Sequence, residues 1–242
     1  IHYTGIETNT FFTLISEIIT NCILYFYEPL LLKKILNFNF FYFDSYEQDH
    51  IKENCLKYIS QQEIQNIKYR KNEIYTEVLK YIIENKYMIL DGFVSFRLEN
   101  YLYTLEEIVD YNVNEYVIEK EYTEFINLLK MYVDSKPPES STIYLVYCNG
   151  ESVLLNKNKD LIDLNENITN AKYLSDISFS SNDYALNALL SLLPAKIEIH
   201  LVGDEDEFIN TLKLVFRNRV SICYNTTLNE FNKFEKGEKK HI

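Results

Sequence analysis

Apolar residues recur at a helical period over the first half of the chain and alternate with polar ones over the second. Phe11, Leu14, Ile15, Ile18, Cys22, Tyr25 and Phe26 fall on one face at period 3.6, predicting an amphipathic helix that Glu28-Pro29 ends or redirects. Leu30 to Leu36 predicts a short second helix, and Asn37 to Phe43 is aromatic and irregular. Ser45-Tyr46-Glu47-Gln48 has capping-box form and opens a helix to about Ile59; Ser60-Gln61-Gln62-Glu63 opens another. That helix buries Ile64, Ile67, Ile74, Val78, Tyr81 and Ile82 and ends near Tyr87, with Leu90-Asp91-Gly92 as the break. The helical spacing resumes at Val94 and runs through Leu98, Tyr101, Leu105 and Ile108, with Thr104 and Glu107 in the form of a third cap, and Phe125, Leu128, Leu129 and Tyr132 complete the helical half.

Pro137-Pro138 cannot continue a helix, and the period changes beyond it. Ile143 to Cys148 and Ser152 to Leu155 flank Asn149-Gly150, the pair a type I′ hairpin turn requires because both positions need positive φ. Strands are then expected at Tyr173 to Phe179, Ile197 to Val202 and Val220 to Tyr224, separated by helices at Asp183 to Leu193 and Glu205 to Phe216. Ile197, Ile199 and Leu201 alternate with Glu198 and His200, so one sheet face is oily and the other mixed, which predicts two layers with both helices on one side. The fold class is therefore α+β: a helical domain over residues 1–134, a linker over 135–141, a small two-layer α/β domain of hairpin plus β-α-β-α-β over 142–228, and a charged tail over 229–242.

The charge balance changes which partners are expected. A net charge of −12 with no basic stripe opposes attraction to a phosphate backbone, so nucleic acid is not an expected partner. Glu17, Asn21, Glu28 and Pro29 interrupt the apolar region from Phe11 to Leu32, so no run approaches the roughly 20 residues that span a bilayer, and no integral membrane segment is expected. Cys22, Cys55, Cys148 and Cys223 stand far apart without a C-x-x-C or a His at ligand spacing, which argues for reduced thiols, a cytoplasmic location and no metal; no cofactor is expected.

Parallel sheets bind ligands beyond the carboxyl ends of their strands, which brings in Ser180, Ser181 and Asp204, yet Ser180 with Asp183 and Asp204 with Glu207 also read as ordinary helix caps. His200 and Cys223 share the mixed sheet face with Glu198 and offer the residue types of an activated thiol, without a specific spacing. Arg97 sits among Phe93, Val94, Phe96 and Tyr101 with no acid three or four positions away. If buried it needs a carboxylate from another element, with Asp110, Glu121 or Glu124 as candidates, and it is read as a structural pin in preference to an anion site.

The run Asp91-Gly92-Phe93-Val94, then Phe96-Arg97-Leu98 and Tyr101, resembles the signature of the YtxC family, which is associated with sporulation by name. Glu119-Lys120-Glu121-Tyr122 and Leu189 to Ile197 are similar to that family in order and spacing, and Ser95 stands where a larger polar residue such as Asn is expected. The resemblance spans nearly the whole chain and implies an intracellular protein of spore-forming bacteria, with no catalytic set to carry over. Three readings follow. The first is a non-enzymatic cytoplasmic protein that binds another protein, with Asp91, Phe93, Phe96, Arg97, Tyr101, Glu121 and Tyr122 as structural or interaction residues. The alternative is an enzyme or small-ligand sensor at the strand tips. The third is a homodimer through aromatic faces of the helical half.

Overall fold

The computed structural model describes residues 8–62, 64–85, 87–162 and 180–224, and these fold as two compact units, residues 1–120 and 121–242. The first is helical. Helix α1 (Thr8–Cys22) passes through a π turn (Ile23–Tyr27) into α2 (Glu28–Asn39), followed by α3 (Ser45–Gln61), α4 (Ile64–Glu84), α5 (Leu90–Arg97) and α6 (Glu99–Ser135). The second unit contains the end of α6, strands β1 (Ser140–Cys148) and β2 (Glu151–Leu155), helix α7 (Ser181–Leu192), β3 (Pro194–Val202), α8 (Glu207–Phe216) and β4 (Val220–Cys223).

Glu28-Pro29 does not end the first helix. Tyr27 and Glu28 are both α-helical, and Pro29 falls at the start of α2, where its missing N–H costs little. The Glu28 N–H bonds to the Ile23 carbonyl, five residues back, which inserts one extra residue into the turn. The buried positions Ser16, Thr20, Ile23, Glu28, Leu32 and Leu36 are accordingly spaced 4, 3, 5, 4, 4. The single step of five keeps one face inward across the bulge. The resulting helix from Thr10 to Asn39 is long and apolar enough to cross a membrane by length and composition, contrary to the expectation drawn from its polar interruptions.

Other boundaries move for local reasons. Asp44, one residue before the expected cap, closes the capping box of α3, its Oδ1 accepting from the Glu47 N–H at 2.9 Å and the Glu47 Oε2 accepting from the Asp44 N–H at 2.9 Å. Ser60 lies inside α3, its hydroxyl bonding back to the Lys57 carbonyl. Leu90-Asp91-Gly92 opens α5 and does not break a helix, the breaks lying before it and at Leu98. Thr104 caps nothing: it sits within α6 and donates to the Asn100 carbonyl.

In the helical unit the core gathers Ile23, Leu32, Leu36, Ile51, Cys55, Ile74, Val78, Phe93, Leu98 and Leu105, and continues along α6 to Val113. The core of the second unit gathers Ile126 and Val133 of α6 with the sheet and α7 and α8. The change of period at Pro137-Pro138 and the change of core thus fall at different places, because the same helical spacing serves two cores in succession.

The sheet order is β2-β1-β3-β4, with β1 antiparallel to β2 and parallel to β3, and β3 parallel to β4. The hairpin turns at Asn149 and Gly150, both at positive φ as a type I′ turn demands. Ile143, Leu145 and Tyr147 of β1 and Ile197, Ile199 and Leu201 of β3 are buried against α7 and α8 in one core, as the alternating pattern predicts. In the described sheet the parallel partner of β3 is β1, so the hairpin strand itself begins the parallel portion; the strand expected at Tyr173 to Phe179 lies outside the described residues.

Candidate functional site

Among the described residues, three polar clusters are buried or include residues singled out by sequence, and in each the side chains bind one another. The first lies inside the helical unit. The π turn rotates Glu28 into the core, where it is 4% exposed. The Tyr101 hydroxyl of α6 donates to Glu28 Oε2 at 2.8 Å, and Arg70 Nε of α4 lies 3.5 Å from the same oxygen. Arg70 Nε and Nη1 are buried without a hydrogen-bond partner, so the ion pair is loose. Burial therefore outweighs Arg70 and Tyr101 and raises the Glu28 carboxyl above its ordinary value. Burial, then the Glu28 charge, raises the Tyr101 hydroxyl strongly, which keeps it a donor.

This cluster ties α2, α4 and α6 together. Because the folded Glu28 carboxyl holds its proton more tightly than the unfolded one, the folded state takes up a proton as pH falls toward the ordinary carboxylate range. The contribution of Glu28 to stability therefore rises as pH falls through that window and declines as pH climbs above it. Against a Glu28→Gln variant, which cannot titrate there, the parent is expected to lose ground as pH rises through and above the ordinary carboxylate range. Urea unfolding at a series of pH values measures the difference, and a gap independent of pH would contradict it.

The second cluster occupies the mixed face of the sheet. Glu198 Oε2 accepts from Lys196 at 2.9 Å, while its Oε1 lies 3.8 Å from both His200 Nε2 and Cys223 Sγ. The Lys196 ammonium holds the Glu198 carboxyl below the usual carboxylate range. The Tyr144 and His200 rings lie 5.9 Å apart. A thiol activated by a His–acid pair needs the imidazole between sulfur and carboxylate. Here the imidazole and the thiol both reach the same carboxylate oxygen, the thiol donating to it, and His200 and Cys223 are paired across β3 and β4.

The third cluster is at the strand tips. The Tyr147 hydroxyl donates to Asp206, the N-cap of α8, and burial, then this hydrogen bond, raises its pKa. Ser180 forms the capping box of α7 with Asp183, as its sequence predicts. Ser181 is engaged with Ser152 through two hydrogen bonds, and Asn182 Nδ2 donates to the Gly150 carbonyl at 3.0 Å. Asp204 is exposed, and the cap expected of it falls to Asp206. These groups fasten helix starts to the hairpin and strand ends.

Among the other residues singled out by sequence, Phe93 and Tyr101 are buried, Phe96 is 76% exposed, and Asp91 is exposed. The neighbouring Asp91 carboxylate raises the pKa of the Tyr27 hydroxyl. Arg97 is exposed in the last turn of α5, where its charge suits the helix C-terminus, so the expected pin is not Arg97. The buried guanidinium is Arg70, which no local sequence signal marks. Its acid is Glu28, read from sequence as a helix end. Glu121 is exposed, and Tyr122 hydrogen-bonds Thr211 at 2.8 Å within the second unit. None of the four cysteines is in a disulfide, and burial pushes the Cys55 thiol up to about 12.

The model of the YtxC-like family matches residues 13–221, a span that takes in the Asp91–Tyr101 signature and the sheet. The chain belongs to this family. Among curated proteins, YtxC of Bacillus subtilis (strain 168), described as an uncharacterized protein, is 26% identical over 153 residues, covering 63% of this chain. The match spans 54% of that relative's length. No solved structure matches the chain. Within the YtxC-like span, Tyr101 belongs to the buried Glu28 cluster, so part of the helical signature serves the core of the helical unit.

The helical unit also carries a concave apolar surface. A groove of about 590 Å³ runs between Phe11, Ile15 and Ile19 of α1 and Ile82, Ile83 and Met88 at and beyond the end of α4. Its volume is that of a site for a bulky apolar group, and Ile83 on its wall is 59% exposed.

Proposed function

We propose that the chain is a non-enzymatic cytoplasmic protein of spore-forming cells that acts during sporulation by binding another protein. The observation that carries this reading is the apolar groove between α1 and the end of α4, which is open among the described residues and of a kind that a folded domain rarely exposes. An amphipathic helix of a partner, presenting side chains at i, i+3 or i+4 and i+7, suits a groove of this kind. The polar clusters support the same reading, because their carboxylates and hydroxyls are engaged with neighbouring side chains or backbone. The sporulation context rests on the name under which the resembled family is known, and the wide spacing of the four cysteines in sequence supports a reducing compartment.

Affinity capture from sporulating cells with the parent chain and an Ile83→Asp variant tests the proposal. Ile83 is exposed, so the substitution spares the core. A specific protein is expected with the parent and its recovery should fall about tenfold or more with the variant. Equal recovery with both, or none with the parent, counts against it.

A further inference from the structure

A second surface of the helical unit points to a different kind of partner. The outward face of α1, the π turn and α2 carries Ile18, Tyr25, Phe26, Leu30 and Phe38, which are 63 to 84% exposed, and the loop beyond adds Phe41 and Tyr42. The π turn keeps this outward stripe continuous just as it keeps the inward one continuous. From Ile18 to Phe43 the only acid or base side chains are Glu28, which is buried, and Lys33 and Lys34, which are exposed. Lys33 lies 3.7 Å from Asp49, which also holds Lys52 at 2.7 Å, and Lys34 has no ion pair among the described residues. On a chain of net charge −12, an exposed apolar stripe whose own charges are two lysines is an exception.

We propose that this face docks in the plane of a membrane with acidic headgroups. The helix from Thr10 to Asn39 meets the length and hydropathy needed to cross a bilayer, yet only 17% of its most apolar window is buried within the protein. Crossing would strip Ser16, Thr20, Ile23, Leu32 and Leu36 from the core they fill and carry Glu28 into hydrocarbon. Lying flat satisfies both faces: the inner one keeps its core, and the outer one seats Phe26 and Leu30 at the acyl boundary. The tyrosines then sit at headgroup depth and the lysine stems snorkel to phosphates.

Flotation of the full chain with vesicles tests this. Vesicles of phosphatidylglycerol and phosphatidylethanolamine are compared with phosphatidylcholine alone, using the parent, Phe26→Glu/Leu30→Glu and Lys33→Glu/Lys34→Glu. All four positions are exposed, and circular dichroism confirms that each variant folds. The parent is expected to float with the acidic vesicles, less so at high salt, and both variants to lose about tenfold or more of the bound fraction. Ile83→Asp should float like the parent, which separates this surface from the protein-binding groove. No flotation with acidic vesicles, equal flotation with phosphatidylcholine, or variants that bind like the parent would overturn the proposal. So would light scattering that shows a dimer split by Phe26→Glu/Leu30→Glu without vesicle binding, since the face would then belong to a second copy.

Discussion

Replacing Arg70 with Met is expected to destabilise the helical unit by about 3–5 kcal/mol at pH 8. Among the described residues, Arg70 is the cation that faces Glu28 in its buried cluster, and the substitution leaves the carboxylate with the Tyr101 hydroxyl alone. Methionine fills much of the volume of the arginine stem, so the loss reports the charge more than the packing. Two further observations separate those causes. The penalty should shrink as pH falls toward the ordinary carboxylate range, because the Glu28 carboxyl, already raised by burial, takes up a proton and no longer needs a partner. The double variant Arg70→Met/Glu28→Gln should recover most of the stability, since Gln keeps an acceptor for Tyr101 and carries no charge. Denaturant unfolding followed by circular dichroism measures all three. A penalty that ignores pH and persists in the double variant would assign Arg70 a packing role only.

Single-residue deletions along the first helix are expected to differ by the whole stability of the unit. Removing Phe26, an exposed member of the π turn, converts the buried spacing of 4, 3, 5, 4, 4 into 4, 3, 4, 4, 4. That is ordinary α-helical spacing, so the helix should close into a regular one with the same residues inward, and the unit should still fold. Removing Lys34, equally exposed but in regular α2, turns everything after it by about 100° relative to what precedes it. Leu36 then leaves the core and its cavity forms beside Leu32, and displacing a buried leucine alone costs about 2–5 kcal/mol. The Lys34 deletion should therefore be unfolded or aggregated at 37 °C, and the Phe26 deletion should retain a cooperative thermal transition. Equal damage from both would show that the extra residue is not what sets the register.

How far the sequence can be read depends on whether a signal is local. Asn149-Gly150 specifies its turn because positive φ at two successive positions is a property of those two residues. The alternation in Ile197 to Leu201 identifies the buried sheet face, and Ser180 with Asp183 identifies a cap, for the same reason. Glu28-Pro29 misleads because proline breaks a helix interior but fits a helix start, and a π turn creates a start without breaking the axis. The one spacing of five between Ile23 and Glu28 is the available trace of that turn. Arg97 draws attention through its apolar neighbours in sequence, while Arg70 on α4, whose Nε and Nη1 are buried, finds its acid at the start of α2. Only the fold brings those two helices together, and no local spacing signals such a pair.

The reading of this YtxC-like chain as a binding protein rests on where a partner sits. A photo-crosslinking amino acid placed at Ile83 on the groove, and separately at Tyr144 on the mixed sheet face, reports that directly in sporulating cells. The account predicts a discrete cross-linked protein from position 83 and none from position 144. Cross-links from position 144 with nothing from position 83 would contradict it and return attention to the cluster around Glu198.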